Sequence, residues 1–156
     1  MEKTNVMRTI ESKKLKYNYY FYDPETVNGE EVAAVLNENP DRVFKTLVTV
    51  GKSRKNYVFM VPVCEELDLK KAAKSVGEKS IEMIKSKELL PLTGYIHGGC
   101  SPVGMKKLFT TTAHTTIQDF DTVYFSGGKV GCQVEMSFED LKKIVPVKTA
   151  DIIRNH

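Results

Sequence analysis

Two apolar runs separated by a short polar turn constrain the fold more than any other feature of the chain. Val43-Phe44-Lys45-Thr46-Leu47-Val48-Thr49-Val50-Gly51 is β-prone, with Lys45 its one charged residue. Ser53 to Asn56 then supply the turn, and Tyr57-Val58-Phe59-Met60-Val61-Pro62-Val63 returns. This pattern predicts a β-hairpin. The returning strand is apolar at every position, without the alternation of a half-exposed strand, so it belongs in the middle of a sheet covered on both faces.

The remaining elements are short. Val6, Met7, Ile10 and Leu15 have helical spacing over residues 5–15, with Thr4 or Asn5 as the cap. The aromatic segment 17–22, Tyr17-Asn18-Tyr19-Tyr20-Phe21-Tyr22, reads as a strand ended by Asp23-Pro24. Its consecutive rings cannot all face one side, so some line a second surface, either core or the wall of a pocket. Helices are expected over 29–36, capped by Asn28, over 68–76, capped by Asp68 and stopped by Gly77, and from Ser137 to Ile144. A helical turn over 86–90 should stop before Pro91. Further strands are expected at 80–84, 93–97, 109–117, 122–125 and 132–136, and 145–153 closes the chain with a short strand and turn. Seven or eight strands with four or five short helices, lacking a strict βαβ rhythm, predict an α+β domain with a mixed sheet.

At 156 residues the chain is of the size of one domain, residues 1–156. It holds no apolar run long enough to span a bilayer, and Met1-Glu2-Lys3-Thr4 leads into a charged amphipathic stretch rather than a signal-peptide core. A cytoplasmic location is the expectation. Cys64, Cys100 and Cys132 are odd in number and unpaired in spacing, which argues for reduced thiols over a disulfide framework. The net charge of +3 is compatible with a polyanionic partner but does not argue for one. Lysine clusters at 13–16, 70–74 and 106–107 are phosphate-contacting patches or simply solvated faces.

Two glycine-rich loops point to chemistry. His97-Gly98-Gly99-Cys100-Ser101-Pro102-Val103-Gly104 places flexible and rigid residues in alternation. Such a segment presents backbone N–H groups to an anion or a developing oxyanion, or else is a turn. Ser126-Gly127-Gly128-Lys129-Val130-Gly131 lacks the Gly-Lys-Ser/Thr ending of a P-loop and is followed by strand, so it is a hairpin loop, with a bulged turn as the plain alternative. Lys45 either runs its stem along a sheet edge to water or projects into a pocket as a fixed cation. Strand alternation sets Thr46 on the opposite face unless the strand bends. The two loops and Lys45 are expected to form one site. Cys100 with His97 would allow thiolate chemistry, but a small thiol is more often packing. His97, Cys100, His114 and Cys132 do not have the spacing of a closed zinc site.

Together these segments resemble the YbaK family. The carriers are Val43-Phe44-Lys45-Thr46-Leu47, Leu69-Lys70-Lys71-Ala72-Ala73-Lys74, Thr93-Gly94-Tyr95 with Gly98-Gly99-x-Ser101-Pro102-x-Gly104, and Val123-Tyr124-x-Ser126-Gly127-Gly128-Lys129-x-Gly131, in the family's order and spacing. That family comprises bacterial Cys-tRNA(Pro)/Cys-tRNA(Cys) deacylases, relatives of the editing domain of prolyl-tRNA synthetase. The resemblance implies a barrel-like, strongly curved mixed sheet flanked by short helices. It implies trans-editing of mischarged aminoacyl-tRNA, needed because a proline pocket barely penalises an intruder of similar size. Neither cofactor nor metal is implied; the implied partners are aminoacyl-tRNA and prolyl-tRNA synthetase.

By the same matching Lys45 is the critical catalytic residue. Tyr22, Thr46, Gly98, Gly99, Ser101, Pro102, Gly104, Ser126, Gly127, Gly128 and Gly131 form the substrate-binding set, with the tyrosine's register open within 17–22. The implied chemistry uses the substrate's own thiol against the ester carbonyl. Three positions depart from the family's usual pattern: Asn28 replaces an aromatic, Gln133 an acidic residue, and Cys100 an aliphatic one. The first two bear on amino-acid preference, so a deacylase for another aminoacyl group is an alternative reading. A non-catalytic module binding tRNA or the synthetase is another.

Overall fold

The structure, a computed structural model, describes residues 2–25 and 28–156; Met1, Thr26 and Val27 lie outside the described residues. In chain order the elements are α1 (Asn5–Ser12), β1 (Asn18–Phe21), α2 (Gly29–Val35), β2 (Phe44–Gly51), β3 (Asn56–Pro62), α3 (Leu69–Val76), β4 (Ile81–Met83), α4 (Ser86–Thr93), β5 (Thr110–His114), β6 (Val123–Ser126), β7 (Cys132–Met136), α5 (Phe138–Ile144) and β8 (Val147–Ala150). Caps set several helix starts: Thr4, Asn28, Asp68 and Ser137 each accept a backbone N–H of the first turn.

The strands form two sheets. One has the order β4-β2-β3-β5-β8 and is mixed, with β3–β5 and β5–β8 parallel; the other, β1-β7-β6, is antiparallel throughout. The expected barrel-like, strongly curved single sheet is therefore corrected to two sheets. Among the described residues a single bridge, Val43 to Tyr124, links them. Toward the N-terminus this pairing stops where the 3-10 turn Pro40–Arg42 bends the chain away directly before Val43. Arg42 holds this junction from the side. Its guanidinium donates to the Thr122 carbonyl at 3.0 Å and lies 5.4 Å from the Tyr124 ring centroid.

β3 occupies the middle of its sheet, and nearly all its residues are buried, as its unbroken apolar run requires. Val58 and Met60 face the core between the sheets, with Phe44, Val48, Phe125, Val134 and Leu141 and with Val6, Met7 and Ile10 of α1. Tyr57, Phe59 and Val61 face the other way, against Ala72 and Ala73 of α3 and Ile152.

Three local expectations are revised. Pro91 does not stop the helix; α4 continues to Thr93. The proline removes only the donor to the carbonyl of Lys87, an exposed residue, and Gly94 ends the helix at φ 87°. The strand expected at 93–97 is absent for that reason. The threonine-rich 109–117 segment is strand only to His114, then turns into a 3-10 helix over Thr115–Asp119. No helix among the described residues is long and apolar enough to cross a membrane.

His114 marks that transition. It is buried, and its Nδ1 accepts the Ile152 N–H at 3.3 Å, which requires the neutral ring. Burial lowers its pKa, against the opposing pull of Asp151. A histidine lowered in the folded state binds fewer protons than in the unfolded chain. Its stabilising contribution is therefore present above the unfolded value of about 6.5 and is lost as pH falls below it. Denaturant titrations from pH 8 to pH 5 should show this loss. His114→Asn, which keeps an acceptor without a titrating proton, should flatten the slope.

Candidate functional site

A cavity of about 620 Å³ opens beside β2. Five consecutive residues of that strand, Phe44 to Val48, line it. Alternating side chains cannot all reach one face, so the wall must be the strand's edge. The pairing explains why. β4 covers β2 only at Thr49–Gly51, with one further bond from Ile84 N–H to the Val48 carbonyl at 3.3 Å. On the other side Val43 gives its carbonyl to Val63 N–H at 2.9 Å, so odd-numbered residues address β3. The Val43–Tyr124 bridge occupies the start of this edge, so the main-chain groups of Thr46 aim at the part left uncovered and into the cavity.

Lys45 and Thr46 do lie on opposite faces of β2, as alternation dictates, yet both border the cavity because it wraps around this edge. Lys45 is half-buried and enters no ion pair among the described residues. Burial holds its pKa below the ordinary lysine value of 10.5, with Glu66, Cys64 and Glu65 pulling the other way. Thr46 Oγ1 is buried and has no hydrogen-bond partner among the described residues.

The opposite wall comes from the antiparallel sheet. Ser126 and Gln133 face each other across β6 and β7, and Tyr22 follows β1 on the same side. Tyr22 is thus the tyrosine of the 17–22 run that lines the cavity. Its N–H donates to the Gly131 carbonyl at 2.9 Å, and its hydroxyl accepts from Gln133 Nε2 at 3.4 Å. Asn28, besides capping α2, borders the cavity too. All three positions that depart from the family's usual residue types, Asn28, Gln133 and Cys100, therefore border the cavity.

The glycine loops divide their work. Gly98, at φ 88°, and Ser126 reach the cavity. Gly99 joins the two loops: a Cβ there would come within 3.0 Å of Lys129 Cα and 3.1 Å of Val130 N. Gly127, Gly128 and Gly131 lie behind the wall, close against Cys132, Val6 and the Tyr22 carbonyl respectively. Ser101 is fully buried, its Oγ accepting from Val103 N–H at 3.3 Å. Pro102 and Gly104 border a separate, smaller hollow beside Lys13 and Lys107.

Cys100 sits at the cavity and in the core at once; burial raises its thiol to about 12, which opposes thiolate chemistry. His97 is exposed at the rim. The sequence reading missed the wall made by Met83, Ile84, Lys85, Ser86 and Leu89. No motif marks it, because it forms only where the chain leaves β4 before the strand can cover the rest of β2.

This arrangement, a desolvated cation and an open strand edge facing two packed glycine loops, belongs to a known class. The chain is a member of the aminoacyl-tRNA editing domain family, whose model matches residues 23–144. It is 41% identical over 153 residues to an Enterococcus faecalis protein named as a Cys-tRNA(Pro)/Cys-tRNA(Cys) deacylase, EbsC, covering 97% of this chain and 93% of that protein. Its fold matches a solved structure described as a trans-editing enzyme for prolyl tRNA synthetase, with a TM-score of 0.84 and 22% identity, covering 99% of this chain and 100% of the other. It matches the hypothetical protein APE2540 with a TM-score of 0.88 and 22% identity, over 97% and 100% of the two chains.

Gly99→Ala tests the junction of the loops. Backbone atoms, not flexible side chains, oppose the added methyl, so the loops must part. The expected cost is about 1–3 kcal/mol of stability, read by denaturant titration, with a loosened cavity wall and weaker ligand binding.

Proposed function

We propose that this protein is a trans-editing deacylase that clears cysteine from tRNA(Pro), and also from tRNA(Cys). The observation that carries the proposal is Lys45, a partly desolvated lysine at a cavity edged by unpaired strand backbone. The 41% identity to a protein named for that activity supports the substrate. Residues 1–156 act as one editing domain, and association with prolyl-tRNA synthetase supplies the choice of tRNA.

The chemistry asks the protein for position and charge. The cysteine thiol of the substrate attacks its own ester carbonyl, so a sulfur–carbon bond forms. The carbon–oxygen bond to the ribose then breaks; the ribose oxygen leaves with a proton, and the amino acid departs as a cyclic thioester. Negative charge grows on the carbonyl oxygen in between. Lys45 and the main-chain N–H groups of Thr46 and Gly98 are the donors for it, in a site where burial strengthens each interaction. Thr46 Oγ1, without a partner of its own, is available to the aminoacyl group. Tyr22, Ser126 and Gly98 hold the terminal adenosine. Gly99, Ser101, Pro102, Gly104, Gly127, Gly128 and Gly131 keep the two loops in the shape that binding needs.

Deacylation assays on a panel of charged tRNAs test this. Lys45→Ala should reduce kcat for Cys-tRNA(Pro) by about 10²- to 10³-fold. Cys64→Ala, Cys100→Ala and Cys132→Ala should each remain active, while Ser-tRNA should resist cleavage for want of a thiol. Full activity in Lys45→Ala, or loss in Cys100→Ala, would overturn the mechanism. The pH profile carries a second signature. Activity should rise as the substrate thiol ionises, near about 8.5. It should fall again, at a pH below the ordinary lysine value of 10.5, as Lys45 loses its proton. Lys45→Arg, which keeps its charge, should lose that alkaline fall.

A further inference from the structure

We infer that the outer face of β1 is a stacking platform for the unpaired 3′-terminal bases of the tRNA substrate, an inference that rests on the proposed deacylase function. Tyr17, Tyr19 and Phe21 alternate along β1 onto the face opposite Tyr20 and Tyr22. Their rings follow one another at centroid distances of 6.2 and 5.7 Å. Tyr17 is tied down by its hydroxyl, which donates to Glu11. Tyr19 and Phe21 are open, with 42% and 46% of their surfaces exposed at the terminal strand of the sheet. Folding gains little from leaving two adjacent aromatic rings in water.

The chemistry of the patch selects its occupant. Lys129 holds its ammonium 5.3 Å from the Phe21 ring centroid, so cation and ring are presented together. Aromatic faces beside a lysine suit bases joined by phosphates, and the stacking tolerates any base. The patch is also continuous with the cavity along both segments that build it. Phe21 is followed by Tyr22 and Lys129 by Val130, and both followers line the cavity. A strand whose last nucleotide sits in the cavity leaves over the hairpin tip onto these rings.

The test separates this platform from the reaction. A short fluorescent RNA ending in CCA, uncharged, should bind the native protein, and Tyr19→Ala with Phe21→Ala should weaken that binding by about tenfold per ring. Lys129→Gln should lower the salt slope by about 0.7. Phe21→Trp should keep the affinity and show quenching of its emission by the RNA. In deacylation, the double alanine variant should raise KM for the charged tRNA while leaving cleavage of the aminoacyl-adenosine ester unchanged. Equal losses on both substrates would make the rings structural and overturn the inference. So would unchanged RNA binding in the double variant, or burial of β1 in a dimer seen by sedimentation. RNA binding through these rings without any deacylation would instead sink the proposed function and leave the platform standing.

Discussion

The cavity exists because β4 is three residues long. A longer β4 would saturate the edge of β2 and leave a continuous sheet. Instead the chain turns into α4, and between the Val43–Tyr124 bridge and β4 the main-chain groups of Thr46 remain uncovered. Unpaired backbone groups are costly when buried and are normally satisfied by a partner. At a cavity such an edge leaves hydrogen-bonding groups that a ligand can take up.

The opposite wall is held by contacts that leave no slack. The glycine loops touch backbone to backbone at Gly99 and Lys129, and the junction of the sheets is clamped by Arg42 between Thr122, Glu38 and Glu135. Glu135 also accepts from Tyr20, so β1, β7 and the turn before β2 share one half-buried polar network. That network keeps the Glu135 carboxyl low in pKa despite its burial. Rigid walls on both sides suit the proposed reaction, in which the nucleophile belongs to the substrate and the protein's task is to hold it near its own carbonyl.

Much of this was legible in the order of residues. The double burial of β3 follows from an apolar run without alternation, and the hairpin from the polar turn before it. The caps at Asn28, Asp68 and Ser137 were readable because a side-chain acceptor before a helix has few other uses. The co-ordered motifs around Lys45 and the glycine loops identified the family. A strand over 93–97 does not form because Pro91 does not stop α4: the one hydrogen bond its ring removes is that to the carbonyl of Lys87, an exposed residue, where water can take the donor's place. The barrel-like sheet failed because nothing in the sequence says how far two strands will pair, and here Val43 and Tyr124 meet at one bridge only.

Local chemistry, then, settled which segments are strands and helices, which strand lies at the centre, and which residue types could carry a reaction. Those outcomes depend on neighbours a few positions away, through hydrogen bonds, rotamers and side-chain alternation. Tertiary structure alone decided that Tyr22 faces the cavity while Phe21 faces water. It decided that Lys45 and Thr46 share a cavity from opposite faces of one strand. It also set Gly99 between two loops and Gly98 at the wall. Each of these turns on where a distant segment stops, and the end of β4 is fixed by packing rather than by any residue beside Lys45.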